Sequence, residues 1–414
     1  MIRPQLGAAL GALVCASTAL AQTPCGDFVQ TPVPFVSSWY GAALEDVTTL
    51  PDGTAWATGY YQVDDPSLPV ETFTLAVRWD GQAWTQVPTP SPSPYPGGTK
   101  AYLHAVGAVA ADDVWAAGER HGDAGGVSTG AWIMVQHWDG SSWQLVPVPP
   151  PTGGAGINYS GTRVFDIAAI AHDDVWFGGA WAEPNAQAAV TWRPLAMHWD
   201  GSSLSVHATP AILENSDGFH IVLMSALASD DIWAVCNRNV AGGYAQNLVV
   251  LHWNGSTWDL VPVPNTGGLR VMYTVEAIAA DDVWVFGEDQ FPAGPQDVFA
   301  LHWDGSGWTE LTNAPRARGA FALNAGSIYT GAGYNIGKGA SFFDGSAWSP
   351  LNDFPGQTVH VFEGEGGVGC SGWLVGREIP GAKLKPFAAR LEPQGGPLQH
   401  GSGRPVKAPG KLKF

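Results

Sequence analysis

The sequence predicts an all-β chain folded as a seven-bladed β-propeller of four-stranded antiparallel blades, with the last blade closed by the N-terminal strand. Three observations carry that expectation. A motif pair, Asp-Asp-Val-Trp followed by His-Trp-Asp-Gly-Ser-Ser-Trp, recurs along the chain, and its leading aromatics Trp56, Trp115, Trp176, Trp233, Trp284, Tyr329 and Trp373 lie 59, 61, 57, 51, 45 and 44 residues apart. Residues around the motifs alternate apolar and polar with the period of two that marks half-buried strands. The final copy stops one strand short, and a matching strand stands at the opposite end of the chain. Repeats of this length form units that cannot bury both faces alone and do so by stacking radially on their neighbours.

The copy from His104 to Pro149 serves as the template. Leu103 to Ala110 alternates as a first strand, Asp112-Asp113 makes a tight turn in which a carboxylate can accept backbone N–H groups, and Val114 to Gly118 returns as the second strand. A variable polar loop leads to a third strand, Ile133 to Trp138. Asp139-Gly140 is a hairpin turn whose glycine accepts positive φ, and Trp143 to Val146 is the fourth strand, ended by Pro147. The order returns at Asp173-Asp174-Val175-Trp176 with His198-Trp199-Asp200-Gly201, at Asp230-Asp231-Ile232-Trp233 with His252-Trp253-Asn254-Gly255, and at Asp281-Asp282-Val283-Trp284 with His302-Trp303-Asp304-Gly305. Weaker copies stand before, at Asp52 to Trp56 with Trp79 to Trp84, and after, at Tyr329 with Phe343 to Trp348 and at Gly372 to Gly376 with Ala388 to Glu392.

Phe28 to Pro34 aligns residue for residue with Trp143 to Pro149 and supplies the fourth strand that the last copy lacks. That register places Cys25 in the turn before the closing strand and Cys370 in the turn between the first two strands of the same blade. Both turns lie at one end of a four-stranded meander, so a Cys25–Cys370 disulfide is expected to staple the ring. Cys236 aligns with Gly118 inside a strand and reads as a small buried thiol.

Residues 1–21 read as an export signal: Arg3, an apolar stretch from Leu6 to Leu20, and Ala19-Leu20-Ala21 as the cleavage pattern. The expected domains are therefore 1–21 signal peptide, 22–394 propeller and 395–414 a flexible basic tail with Arg404, Lys407, Lys411 and Lys413. A secreted or periplasmic location follows, without an integral membrane segment.

The chain holds 19 Lys+Arg against 37 Asp+Glu, a formal charge of −18, and nothing in it forms a basic stripe, which argues against nucleic-acid partners. Gly (53) and Pro (32) punctuate the strands, and 16 of the 20 Trp fall at three repeat positions, where they read as packing between blades. His137, His198, His252 and His302 recur once per blade, too far apart to share one ion, so neither a metal site nor any cofactor is expected from them. The Asp pairs recur with the turns and read as hairpin caps.

The Asp-Gly-x-x-Trp hairpin resembles the Asp-box of sialidases and related propellers, although here Asp and Gly are adjacent, and no sialidase arginine triad or tyrosine nucleophile can be identified. Kelch repeats are a more distant likeness, with only Gly178-Gly179 matching their glycine pair. The two repeats resemble more closely a broad group of exported bacterial propeller proteins, mostly without assigned function. That resemblance spans about residues 25–394 and implies a fold, not a chemistry.

Function is expected where the copies differ. The loops after the second strands and the connections between blades gather on the face opposite the Asp turns. Candidate ligand-binding residues there are Tyr60, Tyr61, Arg120, His121, Tyr159, Trp181, Arg238, Arg270, Tyr334 and Arg377, with Tyr102, Glu119, Arg163, Tyr273, Glu288 and Arg318 nearby. Exposed aromatics beside Arg and Asn suit a sugar face or a peptide. The expectation is a monomeric binding protein for a carbohydrate or a protein or peptide ligand. The alternative is a hydrolase or lyase at the mouth of the axial tunnel, drawing on Glu45, Asp46, His104, Asp166, His220 and Glu276. Carboxylates and imidazoles converging at that mouth would favour the enzyme, a broad aromatic groove the binder.

Overall fold

The computed structural model describes residues 22–35, 39–63, 70–92, 100–124, 127–149, 163–184, 190–210, 218–239, 247–264, 270–289, 298–311, 314–315, 317–324, 326–331, 339–354, 358–379 and 383–393. The segments read as signal peptide and tail lie outside them, as do the side chains of 122–130, 182–193, 211–222 and 238–247. Twenty-eight strands and no helix are found among the described residues.

The first strand, β1 (Gly26–Gln30), stands apart from its neighbours in sequence. The rest fall into six runs of four and a last run of three. The first run is β2 (Trp39–Thr49), β3 (Ala55–Val63), β4 (Glu71–Trp79) and β5 (Trp84–Gln86). The second is β6 (Lys100–Ala110), β7 (Asp113–Ala124), β8 (Val127–Trp138) and β9 (Trp143–Val146), and the third β10 (Arg163–Ala171), β11 (Asp174–Pro184), β12 (Val190–Trp199) and β13 (Leu204–His207). Next come β14 (Gly218–Ala228), β15 (Asp231–Asn239), β16 (Asn247–Trp253) and β17 (Trp258–Val261), then β18 (Arg270–Ala279), β19 (Asp282–Asp289), β20 (Val298–Trp303) and β21 (Trp308–Leu311). The sixth run is β22 (Gly319–Asn324), β23 (Ser327–Gly331), β24 (Gly339–Phe343) and β25 (Trp348–Asp353); β26 (Thr358–Gly366), β27 (Gly372–Ile379) and β28 (Lys385–Pro393) end the chain.

These strands make six sheets, five of four strands and one of eight. The eight-stranded sheet joins the first two runs through one parallel pair, Thr72 with Lys100. β1 pairs antiparallel with β28, Phe28 opposite Leu391, in the order β1-β28-β27-β26.

The Asp-Gly hairpins are built alike. Gly81, Gly140, Gly201, Gly255, Gly305 and Gly345 hold φ between 85° and 99°, where a side chain would be strained. Asp139 Oδ1 accepts the backbone N–H groups of Ser141 and Ser142, both at 2.9 Å. The Ser141 hydroxyl and these N–H groups draw the Asp139 carboxyl down to about 2. A Cβ on Gly140 would stand 2.8 Å from Asp112 Cβ, so the two kinds of turn share one end of the sheet.

The second Asp of each Asp-Asp pair does not cap its own turn. Asp113, Asp174, Asp231 and Asp282 each accept from the indole of the Trp two residues on, at 2.9, 3.0, 3.1 and 2.7 Å. The same oxygen lies 2.8, 2.8, 2.8 and 2.9 Å from Nε2 of His137, His198, His252 and His302. Each imidazole also lies against that indole, with ring centres 4.4 to 4.5 Å apart. Where the Asp is replaced, by Thr54, Ser327 or Ser371, the residue opposite the aromatic is Arg78, Phe342 or Arg390 instead of His. The repeated histidines are therefore structural partners of an aspartate, a pairing that their spacing did not reveal.

Between runs, the strand-two aromatic of one enters the aromatics of the next. Trp56 meets Trp138 and Trp143, Trp176 meets Trp253 and Trp258, and Trp233 meets Trp303 and Trp308, at 4.8 to 6.1 Å. Tyr329 meets Phe28 at 6.1 Å, and Trp373 in the last sheet meets Trp79 and Trp84 in the first at 5.0 and 4.8 Å. Most of these indoles are buried, Trp56 and Trp176 fully, and removing a buried Trp from a core typically costs roughly 3–5 kcal/mol.

Cys25 and Cys370 form the expected disulfide, with Cα atoms 5.8 Å apart. Cys236 is a free, fully buried thiol whose pKa burial raises. One expectation needs correction. The second strands do not stop near Gly118: the ladder runs on, pairing Glu119 with Ile133, Arg120 with Trp132 and His121 with Ala131. The segment read as a loop is thus a strand extension, because antiparallel pairing continues as long as both backbones stay extended.

Candidate functional site

The first strand of every run, β2, β6, β10, β14, β18, β22 and β26, contributes to one cavity of about 480 Å³. Carboxyls face it: Asp46, Asp166, Glu276, Glu363 and Glu365. Several bridge neighbouring runs. Asp46 accepts from Val47 N–H at 2.6 Å and from Val106 N–H, in the next run, at 2.7 Å. Asp166 accepts from Ile167 and Met224 N–H at 2.7 and 2.5 Å, and Glu276 from Ala322 N–H at 3.0 Å. Burial pushes Asp166 and Glu276 up to about 7, and burial together with neighbouring carboxylates raises Asp46, Glu363 and Glu365. Among the described residues no group of three His, Cys, Asp or Glu could hold a metal ion.

A repeated β-bulge borders one end of this cavity. Between β2 and β3 the register shifts at Leu44/Asp46, between β6 and β7 at Leu103/Ala105, and likewise at Val164/Asp166, Met272/Thr274 and Val361/Glu363. The skipped residues are Glu45, His104, Phe165, Tyr273 and Phe362. Opposite the bulge stands a glycine three residues after the strand-two aromatic. A Cβ on Gly118 would lie 2.1 Å from the Tyr102 carbonyl oxygen, and one on Gly376 1.9 Å from that of His360, so only glycine admits the approach. The next residue along strand two, Tyr60, Glu119, Glu288 or Arg377, takes its place beside the bulge.

These positions form one polar and aromatic cluster. Glu119 is its hub: Arg163 Nε lies 2.7 Å from Oε2, and His121 Nε2 and His104 Nε2 lie 3.0 and 3.6 Å from Oε1. Burial opposes ionisation of Glu119, yet the two imidazoles and Arg163 outweigh it and bring the carboxyl to about 2. An arc of rings runs beside it, Tyr60 to Tyr102 at 5.2 Å, Tyr102 to His104 at 5.9 Å and nearly parallel, and His104 to Phe165 at 5.7 Å. On the far side Arg318 lies 4.5 Å over the Tyr273 ring, whose hydroxyl donates to Glu288, and Arg377 lies 5.2 Å over Phe362. Glu45 faces His104, Arg377 and Arg318, but burial keeps its carboxyl raised. Burial and the Glu45 charge push the Tyr60 hydroxyl up to about 12 against the pull of Arg377.

The structure sorts the sequence candidates. Tyr60, His121 and Arg377 join the cluster, together with Glu45 and His104 of the catalytic alternative. Tyr61, one residue on, turns the other way, stacks on Phe73 at 5.3 Å and packs against the core. Trp181 likewise packs against a core cluster. Arg270 is buried, pairs with both Glu310 oxygens at 2.9 Å and covers Phe299. Arg120 is half-buried in the β7 extension, outside the cluster. Tyr159 and Tyr334 lie outside the described residues, as do the side chains of Arg238 and His220. Asp46, Asp166 and Glu276 line the cavity. Phe165, His360 and Phe362 were not among the candidates; Gly179 and Gly376, three residues after Trp176 and Trp373, are the signal that marks their strand positions.

No family model matches the sequence, and no curated protein does. Solved structures are similar in fold. A polysaccharide lyase, PL25 ulvan lyase, aligns with a TM-score of 0.53 at 11% identity over 90% of this chain and 95% of that one. The β-propeller domain of the Trilobed protease from Pyrococcus furiosus aligns at 0.43 and 11% over 81% and 91%, and YCF48 bound to D1 peptide at 0.48 and 12% over 87% and 99%. The chain is an all-β protein of repeated four-stranded antiparallel sheets with β-propellers among its structural neighbours. Identities this low speak to fold alone.

Proposed function

We propose that the chain is an exported seven-bladed β-propeller, closed by β1, that binds a carbohydrate or peptide at the channel mouth. Seven blades are supported by the seven first strands around one cavity, with the eight-stranded sheet counted as two blades because a single residue pair joins its halves. Export is supported by the pattern of residues 1–21 and by the disulfide, which persists in oxidising compartments. No described helix is long and apolar enough to cross a membrane.

The observation that carries the binding reading is the arc of Tyr60, Tyr102, His104 and Phe165, whose rings stand 5.2 to 5.9 Å apart beside Arg and Glu side chains. Rings at this spacing, with polar groups at their edges, offer flat apolar surface and directional hydrogen bonds together. Glycan and peptide arrays on the mature protein test it. Bound ligands lost on Tyr60→Ala, with the melting temperature unchanged, support the reading; a flat response on both arrays sinks it.

A second reading rests on Glu119 holding two imidazoles within 3.6 Å, an arrangement suited to proton transfer in a hydrolase or lyase. New reducing ends released from a polysaccharide by the wild type and not by His104→Ala would establish it. Unchanged substrates across a broad panel would dismiss it.

A further inference from the structure

We propose that a cleft between the third and fourth runs binds a small organic cation with planar N–H groups, a guanidinium, amidinium or imidazolium. The cleft holds about 390 Å³ and shares no residue with the Glu119 cluster or with the cavity lined by the first strands. That volume lies within the range of small-molecule sites, about 300–1,000 Å³. Trp176 of β11 and Trp253 of β16 meet across the two sheets with ring centres 4.8 Å apart, and the His207 ring lies 4.8 Å from the first and 5.4 Å from the second. Asp174 lines the same cleft. Its Oδ1 accepts from the Trp176 indole at 3.0 Å and lies 2.8 Å from His198 Nε2. Its other oxygen has no hydrogen-bond partner among the described residues.

The preceding junction shows what this oxygen accepts. His172 directly precedes the Asp pair of the third run, and its Nδ1 lies 2.9 Å from Asp113 Oδ2 in the second. Ser229 holds the equivalent position before the Asp pair of the fourth run, with a side chain too short to replace an imidazole. A planar N–H group entering the cleft therefore completes at Asp174 the contact that His172 makes at Asp113. A second departure from the repeat falls on the same cleft. His207 pairs with Ala196 in the β12–β13 ladder, where the corresponding residues of other runs are Val146, Val261 and Leu311. Burial, then His198, press the His207 imidazole toward its neutral form, so it offers a flat face without a repelling charge. No Lys or Arg among the described residues lines the cleft. A cation held among indole faces beside a carboxylate gains cation–π attraction and a charge-assisted hydrogen bond together. At the next junction the corresponding residues are Asp231, Ala280 and Val261, a carboxylate without the second imidazole.

Titration calorimetry on the purified protein with three probes of similar size tests the site: benzamidine, its neutral counterpart benzamide, and phenyltrimethylammonium, a cation without N–H groups. We expect benzamidine to bind at least about tenfold more tightly than either, the effect of one charged hydrogen bond. Asp174→Asn keeps an oxygen for Trp176 and His198 but turns an NH₂ group toward the cleft, and Ser229→His rebuilds at Asp174 the arrangement seen at Asp113. Each should weaken benzamidine binding about tenfold. His207→Val, which restores the residue type of the other runs, should weaken it as well, and Asp231→Asn should leave it unchanged. Ser229 is exposed, so Ser229→His tests the site without disturbing the core, and melting temperatures confirm that each variant is folded. Equal binding of benzamide or of phenyltrimethylammonium overturns the assignment to an N–H cation. Benzamidine bound undiminished by both Ser229→His and Asp174→Asn, or not bound at all by the wild type, overturns the site.

Discussion

Asp113 Oδ1 lies 2.8 Å from His137 Nε2, while its other oxygen lies 2.9 Å from His172 Nδ1 in the next sheet. The carboxylate therefore ties its own sheet together and reaches the neighbouring one. Burial raises its pKa, but hydrogen bonds from His172, His137 and Trp115 bring the net shift below the usual value. Asp113→Ala leaves two imidazoles and an indole without this acceptor and should cost about 1–3 kcal/mol, read as a lower denaturation midpoint with an unchanged slope. A variant as stable as wild type would show the triad to be ornamental.

Stability should fall as pH rises through neutrality. Asp166 and Glu276, held near 7 by burial, bind their protons more tightly folded than unfolded. Their contribution is fully present below the unfolded carboxyl pKa, about 4, and is lost as pH rises through 7. Glu119, held near 2, acts in the opposite sense: its contribution is present above about 4.5 and is lost as pH falls toward 2. The melting temperature should therefore peak in mildly acid solution. Asp166→Asn and Glu276→Gln should flatten the alkaline side, and Glu119→Gln the acid side.

The disulfide spans 345 residues of chain. The chain-entropy account gives it about 6 kcal/mol, an upper figure because unfolded chains retain structure. Cys370→Ser should lower the melting temperature by several degrees or more. Cys236, fully buried, should resist thiol reagents in the native state and react only on unfolding.

Adjacent tyrosines should behave oppositely. Tyr60→Ala should weaken ligand binding with little change in stability, whereas Tyr61→Ala, which removes the ring stacked on Phe73, should destabilise and leave affinity intact. Matched losses of affinity in both would contradict the placement of the site.

Trp176→Ala tests the packing between sheets. It leaves a hole against Trp253 and Trp258 and should cost about 3–5 kcal/mol. Trp199→Ala, on a more exposed ring, should cost less.

Much of the architecture was legible in the residues themselves because it repeats. The Asp-Gly hairpins, the aromatic positions and the Cys25–Cys370 pairing follow from aligning one copy on another, since each repeat solves the same packing problem with the same side chains. The site was legible only in part. Tyr60, His121 and Arg377 were found as variable residues, but Tyr61, Trp181 and Arg270 looked equally eligible and pack into the fold instead.

The sequence by itself determined an all-β repeat, the turn ends of its sheets and the tryptophans that join them, because local alternation, turn chemistry and period are one-dimensional signals. Only the tertiary structure decided which variable residue faces the mouth. There a bulge of one residue, allowed by glycines such as Gly118 and Gly376, shifts the register, and a shift of one residue along a strand moves a side chain to the opposite face. The same bulge brings Glu45, His104, Phe165, Tyr273 and Phe362, from runs far apart in the chain, around one opening.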